Sequence, residues 1–156
     1  MHSAISLFTG AGGLDLGLHA AGFDLRVAVE ADDHCASTLR HPSNKRWWRK
    51  TTIFDCAIES VPADQILRVS ELAVGELGLL AGGPPCQPFS KSGYWYRGEA
   101  RRMEDPRANT LREYLRMLEA LQPKVFLLEN VPGSSFSSKQ EGLLFLENEI
   151  RRINEA

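Results

Sequence analysis

Ala4-Ile5-Ser6-Leu7-Phe8 runs straight into Thr9-Gly10-Ala11-Gly12-Gly13-Leu14. The first five residues read as a short apolar strand, and the glycines make a turn in which a ligand can lie beside the backbone. Beyond the turn, Leu14, Leu18 and Ala21 recur on one helical face, and Gly22 is placed to close the helix. Strand, glycine turn and helix form the first unit of a nucleotide-type α/β fold, with the helix N-terminus next to the ligand.

The next segment supports that unit. Leu25 to Val29 reads as a second strand ending in Glu30, twenty positions after Gly10. An acidic residue at about that offset accepts hydrogen bonds from ribose hydroxyls. The turn is not a dinucleotide fingerprint, because the third glycine of G-x-G-x-x-G would fall on Asp15. It is closer to the turn that holds S-adenosylmethionine, which has an adenosine but no pyrophosphate, and this disfavours a dehydrogenase.

Further along, the apolar run Leu77 to Ala81 leads into Gly82-Gly83-Pro84-Pro85-Cys86-Gln87-Pro88-Phe89-Ser90. A lone cysteine is most often a small buried hydrophobe. Cys86 instead stands among prolines, at the end of an expected strand, in a segment that cannot continue that strand. The two glycines admit a close ligand and the prolines restrict φ, so the thiol is placed as a nucleophile.

Between these landmarks, Asp32 and Asp33 cap a helix running to about Arg40. Ser43 to Lys50 is basic and contains Trp47 and Trp48; it reads either as a base-stacking patch or as a loop whose tryptophans pack on a neighbouring helix. Thr51 to Phe54 is a strand ending in Asp55, on the edge where Glu30 lies. Val61 to Val74 is expected to be a helix with Ile66, Val69 and Ala73 on one side. Lys91 to Arg107 has no periodicity, with five basic residues, three acidic ones and three aromatics. It suits either a flap over a polyanion or a solvated loop. Leu111, Tyr114, Leu115, Leu118 and Leu121 make a helix stopped by Pro123. Val125 to Leu128 reads as a fully buried strand that delivers Glu129 to the edge holding Cys86. A carboxylate there is expensive unless it has work or a partner. Leu143, Leu146, Ile150 and Ile153 mark a last amphipathic helix.

Composition limits the class. The 156 residues are 43 % hydrophobic and 24 % charged, with a net charge of −2, as in an ordinary globular domain. One domain of that length buries roughly 68–70 % of its unfolded surface. No run approaches the ~20 apolar residues of a membrane span, and Met1-His2-Ser3-Ala4 lacks the basic start of a signal peptide, so an intracellular protein is expected. Three cysteines without C-x-x-C spacing suggest neither a disulfide framework nor a zinc site.

Taken together, Phe8-Thr9-Gly10-Ala11-Gly12-Gly13, Gly83-Pro84-Pro85-Cys86-Gln87, Asp105-Pro106-Arg107 and Glu129-Asn130-Val131 resemble the DNA cytosine-5 methyltransferase family, in its own motif order and over essentially the whole chain. The resemblance implies a Rossmann-like fold, mainly parallel, with S-adenosyl-L-methionine held by Phe8, Gly10, Gly12, Gly13, Leu14, Glu30, Ala31, Asp55 and Gly83. It implies that a cytosine is flipped out of double-stranded DNA. Cys86 would add to C6, and Glu129 would bind the N3 and amino edge. Asn130 and Pro85 would hold these groups in place, while Ser90, Lys91, Arg97 and Arg107 would meet the nucleic acid.

Ala31 stands where an aromatic or large apolar residue often lies against the adenine, and Thr110 where a leucine is frequent. The later arginine-containing motif and the target recognition domain are not found among these residues, which therefore resemble the N-terminal part of a catalytic domain. A complementary C-terminal segment is expected as partner. An RNA cytosine methyltransferase and a non-catalytic cofactor-binding module share the same motifs.

Overall fold

The computed structural model describes residues 2–85, 109–129 and 140–155. Five parallel strands form one sheet: β1 (His2–Leu7), β2 (Phe23–Val29), β3 (Thr52–Phe54), β4 (Leu79–Gly82) and β5 (Val125–Leu128), in the order β3-β2-β1-β4-β5. The chain steps outward from β1 to β3, then crosses back to lay β4 on the other side of β1. Strand order thus reverses between β1 and β4, the place where open α/β sheets bind ligands.

Helices cover both faces. Against one pack α1 (Gly13–Ala20) and α2 (Asp33–Arg40), through Leu18, Leu39 and the nearby Trp48 over Ala4, Leu25, Leu79 and Ala81. Against the other pack α3 (Ala63–Ser70), α4 (Asn109–Leu121) and α5 (Gln140–Glu155), whose Ile66, Tyr114, Leu118 and Ile150 lie over Ile5, Leu7, Val27, Val29 and Leu80. Strands covered on both sides become apolar runs without alternation, as β4 is.

Tyr114 ties the layers together. It is fully buried, and its hydroxyl lies 3.1 Å from the Leu80 carbonyl and 3.2 Å from that of Leu127, between β4 and β5. Burial holds its phenol well above the ordinary tyrosine range.

Three expectations are corrected. β5 is not buried: Val125 is 60 % exposed, and Phe126 and Leu127 are also open, because among the described residues β5 is an edge of the sheet. The helix expected from Val61 to Val74 spans only Ala63–Ser70. Glu71 turns left-handed (φ 56°) and ends it; Val69 within the helix and Ala73 beyond it are both exposed. In α1 the inward face runs through Asp15 and Leu18, whereas Ala21 caps the helix at the surface and Gly22 (φ 87°) leads the chain away.

Candidate functional site

Register aligns the carboxyl ends of all five strands. Leu7 pairs with Val29 and with Gly82, Val29 with Phe54, and Gly82 with Leu128. The residues immediately after that row are Asp55, Glu30, Phe8, Gly83 and Glu129, one per strand. At about 4.8 Å per strand spacing, Glu30 and Glu129 stand roughly 14 Å apart across the reversal point. The backbone ladder continues past the row: Glu30 donates its amide to the Phe54 carbonyl, and Glu129 its amide to Gly82, each at 2.9 Å.

The turn after β1 is built from left-handed conformations. Phe8 (φ 55°), Gly10 (φ 58°) and Gly12 (φ 87°) all have positive φ. For an aromatic side chain this is a strained choice, of the kind that persists at ligand sites. Both carboxylate oxygens of Glu30 are engaged: Oε2 accepts from the Gly10 amide at 2.6 Å and Oε1 from the Asp32 amide at 2.7 Å. Glu30 therefore holds the glycine turn to the end of β2. Gly12 is buried, and a Cβ there would stand 2.8 Å from Trp48 Cζ2 and 2.9 Å from Leu39 Cδ2. Gly10 and Gly13, in contrast, have open space where a Cβ would be. The turn is tight beneath and free above, which fits an adenosine-bearing ligand at the backbone. Leu14 is half-buried and packs with the α1 and α2 cluster.

Around the far end, Asp55 is exposed and paired with Arg40, whose guanidinium holds its carboxyl below the ordinary range. Ala31 is exposed. Asp32 caps α2 by accepting from the Cys35 amide at 2.8 Å, which lowers its carboxyl pKa. The basic and aromatic stretch takes the packing alternative: Trp48 is buried under the glycine turn, and Trp47 meets His19 edge-on with Arg46 over its ring.

On the opposite flank, a Cβ on Gly83 would lie 2.9 Å from Glu129 Oε2, so the carboxylate rests against β4 where a larger residue would turn it aside. Glu129 is exposed at the strand tip and bears no burial cost, contrary to expectation, because β5 is itself open. Pro84 is buried and Pro85 exposed. The Thr110 hydroxyl donates to the Pro85 carbonyl at 3.4 Å, linking the start of α4 to this loop. Cys86, Ser90, Lys91, Arg97, Arg107, Asn130 and the expected flap 91–107 lie outside the described residues.

Two participants escape a reading of the sequence. Arg40 acts through Asp55, distant in the chain, and no local pattern marks the pair. Asp15 is fully buried with neither carboxylate oxygen hydrogen-bonded. Its sole signal was its position, where a dinucleotide turn would carry glycine. Among the described residues no cluster of histidine, cysteine, aspartate and glutamate could hold a metal ion, and no helix is long and apolar enough to cross a membrane.

Known proteins resemble this chain. A family model described as C-5 cytosine-specific DNA methylase matches residues 2–152. The Type II methyltransferase M.AquIA of Picosynechococcus sp. is 41 % identical over 139 residues, covering 89 % of this chain and 52 % of the relative. M.SacI of Streptomyces achromogenes is 40 % identical over 146 residues, covering 87 % and 36 %. A solved E. coli structure described as a prophage-encoded DNA modification methyltransferase superposes with a TM-score of 0.73 at 28 % identity, over 97 % of this chain and 38 % of that one. The chain thus spans about half, or less, of the length of the curated relatives it matches. With the model matched from the first strand to the last helix, the chain belongs to the C-5 cytosine-specific DNA methylase family.

Proposed function

We propose that this chain carries the cofactor turn and the cytosine-facing loop of an enzyme that methylates C5 of cytosine in double-stranded DNA. The observation that supports the proposal is the row Asp55, Glu30, Phe8, Gly83 and Glu129, which sets the Glu30 and Glu129 carboxylates on the carboxyl-end edge of one sheet, on either side of the reversal point. S-adenosylmethionine, when bound, supplies an electrophilic methyl group. Glu30 accepts from the ribose hydroxyls, Asp55 meets the adenine amino group, and Phe8, Gly10, Gly12, Gly13, Leu14, Ala31 and Gly83 form the surface along the cofactor.

Cys86 is joined by a peptide bond to Pro85, and Pro85 is tied to α4 by Thr110. Three residues of chain span at most about 11 Å, which bounds how far the Cys86 backbone can lie from Gly83. A free thiol with pKa about 8.5 is mostly protonated near neutrality, so its proton must leave as it attacks. The sulfur adds to C6 of the flipped cytosine while Glu129 hydrogen-bonds N3 and the amino group. Electron density passes to C5, which would take the methyl group as the methyl–sulfonium bond breaks and a neutral thioether leaves. Loss of the C5 proton then expels the thiolate and restores the ring. Asn130 steadies the strand tip, and Ser90, Lys91, Arg97 and Arg107 meet the DNA.

The open edge of β5 supports a further segment as partner. Beside it lies a cavity of about 500 Å³ lined by Leu118, Phe126, Ile150 and Ile153. A complementary C-terminal methyltransferase segment covering this edge would supply the base-reading part. In that complete context, Cys86→Ser abolishes covalent trapping by a 5-fluorocytosine DNA duplex. Trapping that survives refutes the nucleophile, and trapping by tRNA in place of the duplex refutes the substrate.

A further inference from the structure

Arg40 is the last residue of α2, where a cation complements the helix dipole. Its guanidinium gives its hydrogen bonds to β3 and the residue after it: Nη2 donates to the Ile53 carbonyl at 3.1 Å, and Nη1 donates to Asp55 Oδ2. One planar fork therefore grips both the strand and the carboxylate that follows it. β3 is three residues long and, among the described residues, an edge of the sheet. No other residue's hydrogen bond reaches the Asp55 side chain among the described residues. The Arg40 and Asp55 side chains are 45 % and 52 % exposed, and an ion pair that open adds little to stability. What the pair fixes is a direction, since a carboxylate otherwise free among staggered rotamers is held in one.

The other end of α2 holds the neighbouring carboxylate. The amide of Asp32, the N-cap, donates to Glu30 Oε1 at 2.7 Å, while Glu30 Oε2 accepts from the Gly10 amide. β2 and β3 pair in parallel, Val29 with Phe54, so Glu30 and Asp55 follow adjacent strand ends about 4.8 Å apart. One helix of about 12 Å thus meets Glu30 at its start and Asp55 at its end. An ionised carboxylate offers about four acceptor sites, so Asp55 keeps capacity for an incoming N–H donor beside Arg40.

We infer that Arg40 aims Asp55 at the adenine amino group, so that α2 sets the spacing between the ribose-binding and adenine-binding carboxylates and, with it, the preference for a 6-aminopurine. This rests on the cofactor reading above. Arg40 touches no reacting atom and is a positioning residue. Without the fork, Asp55 is free to turn into solvent, and the amino group must order it at the moment of binding. A lysine in its place offers a point charge that attracts the carboxylate without orienting it.

Calorimetric titration of the chain compares S-adenosylhomocysteine with its analogue carrying hydrogen in place of the 6-amino group. The wild type binds the amino compound about tenfold more tightly, the worth of one hydrogen bond to a charged acceptor. Arg40→Met keeps the aliphatic stem and brings that ratio to about threefold or below, with the affinity for the 6-hydrogen analogue held within about twofold. Its thermal midpoint moves by no more than about 3 °C, as suits an exposed pair. Asp55→Ala abolishes the preference, and adding Arg40→Met to it changes the ratio no further. An unchanged ratio in Arg40→Met, or an equal loss for both compounds, overturns the positioning role and leaves the cofactor reading standing. If Arg40→Met does not fold, an undiminished ratio in Arg40→Lys overturns it instead. A preference that survives Asp55→Ala removes Asp55 from the adenine, and the proposal with it. No binding of either compound by the wild type overturns the cofactor reading itself.

Discussion

Replacing Gly12 by alanine tests whether the cofactor turn is held by conformation alone or also by what lies beneath it. Two costs are separable because Gly10 shares one of them. Both residues are left-handed, at φ 58° and φ 87°, and an L-residue in that region costs roughly 1–2 kcal/mol. Gly10 has nothing within 4 Å of an added Cβ, so Gly10→Ala should cost only this, about 1 kcal/mol. At Gly12 the added carbon would sit 2.8 Å from Trp48 Cζ2 and 2.9 Å from Leu39 Cδ2. Both neighbours are buried, so neither swings away freely. Overpacking of this kind adds typically 1–3 kcal/mol, bringing Gly12→Ala to about 3 kcal/mol. Urea unfolding monitored by circular dichroism reads the difference, with unchanged m-values showing that the denatured state is not the source. Trp48→Phe removes the atoms nearest the new methyl, so the double variant Gly12→Ala/Trp48→Phe should recover at least about 1 kcal/mol relative to additivity. Equal costs at Gly10 and Gly12, or strict additivity with Trp48→Phe, would show that Trp48 does not support the turn.

Two further outcomes follow from buried polar groups. Tyr114→Phe removes the hydroxyl that bridges the Leu80 and Leu127 carbonyls and should cost about 1 kcal/mol in urea unfolding. Its amide exchange should rise most in β5, and uniform exchange across the sheet would contradict the bridging role. Asp15 makes stability depend on pH. Its pKa is raised from 3.8 to about 6 on folding, so the folded state binds the proton more tightly. Its contribution is fully present below pH 3.8 and is lost as pH rises through about 6, some 3 kcal/mol in all. Asp15→Asn should therefore gain stability relative to wild type between about pH 4 and about pH 8, read as the difference in thermal midpoint. A difference that stays constant, or shrinks with pH, is incompatible with a buried acid. The Arg40–Asp55 pair works in the opposite sense, losing its contribution as pH falls, but both side chains are largely exposed and screened.

The sequence by itself determined the elements and the order of the chemistry. Glycines at positions 10 and 12 demand left-handed backbone, apolar runs such as Leu79–Ala81 demand cover on both faces, and an acid twenty residues after the first glycine ends the neighbouring strand. These are properties of the local chain, so they can be read without knowing the neighbours. Tertiary structure alone decided which surfaces meet. Val125 to Leu128 has the composition of a buried strand, yet it lies at an edge, because its position among layers is set by topology rather than by its own residues. Trp48 reads equally as a nucleic-acid contact or a packing residue until Leu39 and Gly12 close over it. Asp15 falls on the inward face of α1 beside Leu18, because the way the helix lies on the sheet, and not its own residue type, sets which side is covered.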